Sequence, residues 1–381
     1  MLADPPLGLY VHVPWCVRKC PYCDFNSHVH KGALPEDRYV DALLSDLESE
    51  ATHVPGRVIQ TIFFGGGTPS LLAAETVARL IAGIRARVEV AADAEISLEA
   101  NPGTVERGRF AGYRDSGVNR ISLGAQSFGG RQLALLGRIH TAEDVPVAVA
   151  EIASAGIGNF NLDLMYALPE QSLQDALRDV SAAIALAPTH LSHYQLTLEP
   201  GTVFHSRPPA LPDEDLADQI ELATHAALRS AGYRRYEISA WSMPGAECRH
   251  NLNYWHFGDY LGIGAGAHGK RSAAGRIVRT ERPKGPKEYF AAVEAGQSSM
   301  ERAIPSSERP FEFFLNALRL VDGFEEQAFE ATTGLRIATV HAALESAQAR
   351  GLLARTPSGW QPTALGLRFL NDLQSSFLVS A

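Results

Sequence analysis

At 381 residues, with 45% hydrophobic and 20% charged residues, the chain suits a soluble globular protein with one large core and a smaller appended domain. A net charge of −9, from 43 acidic against 34 basic residues, argues against a sequence-independent nucleic-acid binder, which needs a basic field to meet phosphates. No stretch approaches the roughly 20 apolar residues of a spanning helix. Met1 to Pro6 lacks the basic and apolar regions of a secretory signal, so the expected location is the cytoplasm.

In chain order, short β-like runs alternate with amphipathic helices. Leu7–Val13 reads as a strand, and Val40, Leu43, Leu44, Leu47 and Ala51 follow at helical spacing. Val58–Phe64 is a largely apolar run, as in a strand buried on both faces, and ends in Gly65-Gly66-Gly67-Thr68-Pro69. After a helix through Leu80 and Ile84, the unit repeats. Strands are expected at Glu95–Ala100, Val118–Gly124, Ile157–Met165 and His190–Leu198. Helices are expected near Thr104–Ser116, Glu143–Ser154, Leu173–Leu186 and Asp213–Ala231. Six βα units in series imply right-handed crossovers and a parallel sheet, open or curled into a barrel. Most of the unusual residues fall where a strand ends, the edge at which parallel α/β folds place ligands.

Beyond Tyr233 the rhythm changes. Arg234–Trp241 reads as one more strand and Cys248–Lys270 as a loop-rich segment. From about Pro310 come helices near Phe311–Leu320, Phe324–Ala331 and Ile337–Ala349, a hairpin-like Leu352–Gln361 and a helix from Thr363. That order suggests a winged-helix-like module, although no basic recognition helix marks it as DNA-binding. Gly264-Ala-Gly266-Ala-His268-Gly269 fits a dinucleotide fingerprint, but the following Lys270–Thr280 reads as strand, so a tight glycine turn is expected instead.

Three of the four cysteines stand together as Cys16-x-x-x-Cys20-x-x-Cys23, just after the first strand, with Pro14 and Pro21 stiffening the loop. Three thiolates this close can each bind a different iron of one [4Fe–4S] cube, leaving the fourth iron for a small molecule. S-adenosylmethionine (SAM) suits that iron, because its amino and carboxylate groups can chelate it. Two other readings stay open: unrelated packed thiols, and a zinc site completed by His12 or His28.

Tyr10-Val-His12-Val-Pro14-Trp15-Cys16-x3-Cys20-Pro-Tyr22-Cys23 resembles the radical SAM motif of the oxygen-independent coproporphyrinogen III oxidase-like family. Gly65–Pro69, Leu123–Phe128, Leu162–Pro169 and Tyr194–Thr197 extend the likeness over nearly the whole chain. The resemblance implies a partial (β/α)6 radical SAM barrel with a smaller C-terminal, mainly helical, winged-helix-like domain. It also assigns SAM contacts to Tyr10, Gly66, Gly67, Thr68, Glu99, Gln126, Arg138 and Asp163.

The family's oxidases carry a further cysteine two residues after the third, where this chain has Phe25, and a longer segment before the motif. His250-Asn251-Leu252-Asn253-Tyr254-Trp255 is instead similar to the H-N-x-x-Y-W signature of the HemW-type heme chaperones, the non-oxidase branch. His250 is then the expected axial ligand or attachment residue for heme, and Tyr254 and Trp255 offer flat faces to the macrocycle. Cys248 reads as a small buried hydrophobe.

The expected division is residues 1–232 as barrel, 233–305 as an extension carrying the heme segment, and 306–381 as the C-terminal domain. The resemblance implies a chaperone that binds heme, with cluster and SAM as cofactors, and delivers it to acceptor hemoproteins of respiratory membranes. An electron donor and peripheral membrane contact accompany that reading. The competing expectation is a coproporphyrinogen III oxidase decarboxylating two propionates.

Overall fold

The computed structural model describes residues 4–103, 108–273 and 275–378. Thr104, the expected start of one helix, and the first residues of the Met1–Pro6 segment lie outside them.

Strand β1, Leu7–Val13, has the expected bounds, and helix α1, Glu36–Ala51, lays Tyr39, Val40, Leu43 and Leu47 onto the core. The βα series continues through β2 (Ile59–Gly66), α2 (Ala74–Arg85), β3 (Val90–Ala100), α3 (Phe110–Asp115) and β4 (Arg120–Gln126). Helices α4 (Gly130–Leu135) and α5 (Asp144–Ser154) lead to β5 (Asn159–Tyr166), α6 (Leu173–Ala185) and β6 (His190–Gln195). A short turn of helix, α7 (Val203–Ser206), precedes α8 (Glu214–Ser230). Side-chain caps start two of the long helices. Ser172 and Asp175 form a reciprocal capping box at α6, and Asp213 accepts the N–H of Leu216 at α8.

Two expectations are corrected beyond Tyr233. Arg234–Trp241 is not one strand but an antiparallel pair, β7 (Arg234–Glu237) and β8 (Ala240–Ser242). The chain reverses because the Glu237 carboxylate accepts both the N–H and the hydroxyl of Ser239. Cys248–Lys270 is not loop-rich either. It holds helix α9 (Arg249–Trp255) and strand β9 (Asp259–Ile263), and it runs into β10 (His268–Ala273). The glycine turn between β9 and β10 explains the false fingerprint. Gly264 sits at φ +101, and a Cβ there would stand 2.5 Å from the His12 carbonyl oxygen.

With β11 (Arg276–Glu281), α10 (Pro286–Glu294) and β12 (Met300–Ala303), one sheet of twelve strands is complete. Its order is β12-β11-β10-β9-β1-β2-β3-β4-β5-β6-β8-β7, with parallel pairing from β9 through β6 and antiparallel wings. The two edge strands do not pair among the described residues, so the barrel is partial. A buried ion pair fastens the wing to the first helix: Arg282 reaches Asp46 at 3.0 Å with both side chains fully enclosed.

The strands alternate strictly. Ile96, Leu98 and Ala100 pack outward on helices, whereas Glu95, Ser97 and Glu99 face inward; Ile121 and Leu123 alternate likewise with Arg120 and Ser122. The lumen is therefore polar, unlike the strand buried in apolar surroundings that Val58–Phe64 suggests: within β2, Thr61 and Phe63 turn inward.

The C-terminal module has its own core of Phe313, Phe314, Phe329, Leu344, Trp360 and Leu373. Helices α11 (Arg309–Ala317), α12 (Glu326–Thr333), α13 (His341–Ala349), α14 (Ala364–Arg368) and α15 (Leu370–Ser375) surround a small antiparallel sheet with the winged-helix order. The expected last helix is broken at Phe369, whose φ −107, ψ 43 separates α14 from α15.

Candidate functional site

The loop after β1 brings Cys16, Cys20 and Cys23 to the carboxyl ends of the barrel strands. All three line one cavity of about 410 Å³. They share it with Gly66, Gly67, Thr68, Glu99, Gln126, Arg138 and Asp163, seven of the eight residues expected at SAM. Tyr10 is the exception. Its hydroxyl lies 3.0 Å from His12 Nδ1, and its ring lines a second chamber of about 190 Å³ beneath the first. Glu99, Ser122 and Asp163 border both spaces.

The cysteine loop is held by a relay of side chains. Arg138 directs Nη1 at the sulfur of Cys20, 3.8 Å away, donates from Nη2 to the Gly124 carbonyl at 2.9 Å, and also donates to Asn101. Asn101 donates to the Thr68 hydroxyl at 3.3 Å, and Thr68 donates to the sulfur of Cys16 at 3.4 Å. The Thr68 hydroxyl thus favours the thiolate of Cys16. Burial pulls the other way and raises the thiols of Cys16 and Cys23 above their ordinary value. Positive metal is a natural counterweight.

The donor set fits an iron–sulfur cube better than a single zinc ion. Among the described residues, no three or more His, Cys, Asp or Glu side chains converge on one ion-sized point. A cube does not require such convergence, since each thiolate takes its own iron. His12 is committed elsewhere, its Nε2 lying 2.8 Å from the Asn26 carbonyl. His28 likewise meets the Lys284 carbonyl at 3.1 Å.

The glycine turn packs tightly against the segment that leads into the cysteine loop. Gly66 has φ +113, and a Cβ there would fall 2.5 Å from the His12 ring; at Gly67 it would fall 2.5 Å from the Trp15 carbonyl oxygen. The Gly66 N–H donates to Glu99 at 3.1 Å, tying β2 to β3. Gln126 adopts φ +67, strained for a residue with a side chain, and its amide oxygen accepts the Tyr194 hydroxyl at 3.0 Å.

Two enclosed carboxyls complete the cavity. Burial, reinforced by the neighbouring Asp163 charge, pushes Glu99 up to about 8. Asp163 is likewise raised by burial, partly offset by hydrogen bonds from Ser192, Asn161 and Ser122. Among the described residues neither carboxyl forms an ion pair; the Arg120 charge acts on Asp163 and partly offsets its burial, so a positively charged ligand would relieve Glu99 most directly.

The motif residues of α9 lie on the barrel floor. Glu95 accepts the N–H groups of Arg249 and His250, each at 3.1 Å, capping the helix from β3. His250 is fully buried and stacks on Phe63. Its Nδ1 lies 2.8 Å from the Thr61 hydroxyl and its Nε2 2.8 Å from the Tyr254 hydroxyl. Coordination of iron by either nitrogen would first require breaking a buried hydrogen bond. Cys248 is fully buried, as expected of a small hydrophobe, with its thiol 3.6 Å from Glu95.

Several lining residues escaped the sequence reading. Asn101 follows β3 directly, and Met165 and Tyr194 face the cavity from β5 and β6. The inward alternation Ser192, Tyr194 was the available signal. Arg120, fully buried at the lumen end of β4, had none.

Comparison with known proteins follows the same lines. The radical SAM superfamily model matches residues 10–182, and the HemN C-terminal domain model matches 304–369. The chain is similar to heme chaperone HemW of Escherichia coli, 49% identical, over 99% of this chain and 100% of that protein. It is also similar to heme chaperone HemW of Haemophilus influenzae, 46% identical, over 98% of each. Among solved structures, coproporphyrinogen III oxidase from Escherichia coli, a radical SAM enzyme, superposes with a TM-score of 0.83 at 24% identity. That match covers 98% of this chain and 90% of the oxidase, a likeness of fold.

Proposed function

Because the chain belongs to the heme chaperone HemW family within the radical SAM superfamily, we propose that it carries heme and uses a [4Fe–4S] cluster with SAM as cofactors. Cys16, Cys20 and Cys23 hold the cluster, and Gly66, Gly67, Thr68, Glu99, Gln126, Arg138 and Asp163 surround SAM. The observation that carries this reading is one cavity gathering three thiols, a glycine turn and two half-buried carboxyls.

When bound, the cluster supplies a single electron able to cleave a C–S bond of the sulfonium. The chain's own residues prepare the place. Arg138 and Thr68 donate to sulfurs of the loop and fix its position. Gly66 and Gly67 line the cavity and let the turn pack against His12 and Trp15. Glu99 and Asp163 meet its positive charge, so binding drives a proton off Glu99 at neutral pH. Gln126, oriented by Tyr194, would offer its amide to the ligand.

Heme is cargo, carried by α9 and the residues around it, including His250, Tyr254 and Trp255 of the family signature. Delivery to acceptor hemoproteins, with an electron donor supplying the cluster, completes the proposal. Residues 1–232 then form the cofactor barrel, 233–305 the extension with the heme segment, and 306–381 the C-terminal domain. No helix among the described residues is long and apolar enough to cross a membrane. The proposed location is the cytoplasm, with peripheral contact where acceptors are membrane-bound.

Two measurements on anaerobically prepared protein test this. Hemin titration gives a Soret band, and incubation with coproporphyrinogen III, SAM and a reductant gives no protoporphyrinogen. Efficient protoporphyrinogen formation overturns the chaperone reading in favour of the oxidase.

A further inference from the structure

Helix α9 has two different ends. His250 at its start is sealed into the barrel floor with both nitrogens engaged. Trp255 and His256 at its finish open onto a groove of about 520 Å³ between the barrel and the C-terminal module. That volume lies within the roughly 300–1,000 Å³ range of small-molecule sites. Phe313 and Phe324 form its apolar depth, and Ala328 leaves one wall low.

His256 is exposed, and its imidazole makes no hydrogen bond among the described residues. Partial shielding from water lowers its proton affinity, which leaves a neutral nitrogen at pH 7. Trp255 is held by the Arg319 guanidinium, 4.3 Å from the ring centroid. Its indole Nε1 is buried without a partner.

We propose that heme binds in this groove, with His256 ligating its iron and Trp255 forming an aromatic wall. The inference rests on the heme-carrier reading and moves the iron ligand from His250 to the residue that follows the signature. An imidazole nitrogen is a standard axial ligand, and it must be neutral and unpaired to serve. Exposed Asp322 and Glu325 also line the groove and would repel carboxylates. The macrocycle therefore enters with its apolar edge toward Phe313 and Phe324, leaving both propionates in water.

The test is anaerobic hemin titration of the full chain and of His256→Ala, His250→Ala and Ala328→Trp, read by Soret absorption and by electron paramagnetic resonance of the ferric iron. Thermal melting followed by circular dichroism checks that each variant is folded. His256 is a surface residue, so its substitution should leave the melt unchanged. The expected result is loss of the imidazole-ligand signature and a shifted, weakened Soret band in His256→Ala. Ala328→Trp should weaken binding while retaining the signature of what still binds. If the unsubstituted chain binds heme and His256→Ala reproduces its spectrum and affinity, the groove assignment is overturned while the carrier reading stands. If the unsubstituted chain binds no heme, the carrier reading fails and this inference with it.

Discussion

Arg138 aims its guanidinium at the sulfur of Cys20 from 3.8 Å while anchoring itself on the Gly124 carbonyl at the end of β4. A cation fixed to the barrel thus holds the cysteine loop by one of its three thiols. Charge-assisted hydrogen bonds of this kind contribute about 1.5–3 kcal/mol. Arg138→Ala should therefore bind its cluster more weakly and release iron to a chelator roughly tenfold faster. The reconstituted variant followed by visible absorption checks this; an unchanged release rate would remove Arg138 from the role.

Glu99 makes the empty protein sensitive to pH. Burial, with the Asp163 charge beside it, pushes its carboxyl from the ordinary 4.5 up to about 8 in the folded state, which therefore holds the extra proton. The sign follows: this contribution favours folding below about 4.5 and is lost as pH rises from there through about 8. Urea midpoints of cluster-free protein should fall between pH 5 and pH 8, and the fall should be smaller in Glu99→Gln. Parallel curves for the two proteins would contradict the shift.

Asp163 faces the same cavity and forms no ion pair among the described residues, although the Arg120 charge acts on it. Asp163→Asn keeps the hydrogen-bonding shape but removes the charge. SAM affinity should drop about 10- to 100-fold, the equivalent of roughly 1.5–3 kcal/mol, in equilibrium dialysis.

Asp46 is the hub of the wing, receiving Arg282, the Tyr289 hydroxyl and the Ser298 hydroxyl inside the core. Asp46→Ala leaves Arg282 buried with less compensation. A loss of about 3–5 kcal/mol in unfolding free energy is expected, measured by denaturant titration.

What the sequence revealed depended on whether a feature is local. The bounds of β1, the cysteine spacing and the Gly66–Gly67 turn are set by neighbours in the chain, and each was legible. So were Glu99, Gln126, Arg138 and Asp163, through likeness to a family. Tyr10 faces the lumen as they do, but it lines the second chamber, which Glu99 and Asp163 also border. Asn101 acts through Thr68 and Arg138, far along the chain, and Arg120 is marked only by its burial in the lumen. Cys248–Lys270 read as loop because its helix is only seven residues long. That helix is held by a tertiary contact, the cap from Glu95 on β3. His256 lies just beyond the signature and carries no motif of its own; its exposure and lack of partners among the described residues are properties only of the folded chain.

The most direct test is electron paramagnetic resonance of the anaerobically reconstituted, reduced protein with and without SAM. The account predicts a four-iron signal whose g-values change on adding SAM, with the signal absent when Cys16, Cys20 or Cys23 is replaced by alanine and retained in Cys248→Ala. A wild-type signal indifferent to SAM, or no four-iron signal at all, would contradict it.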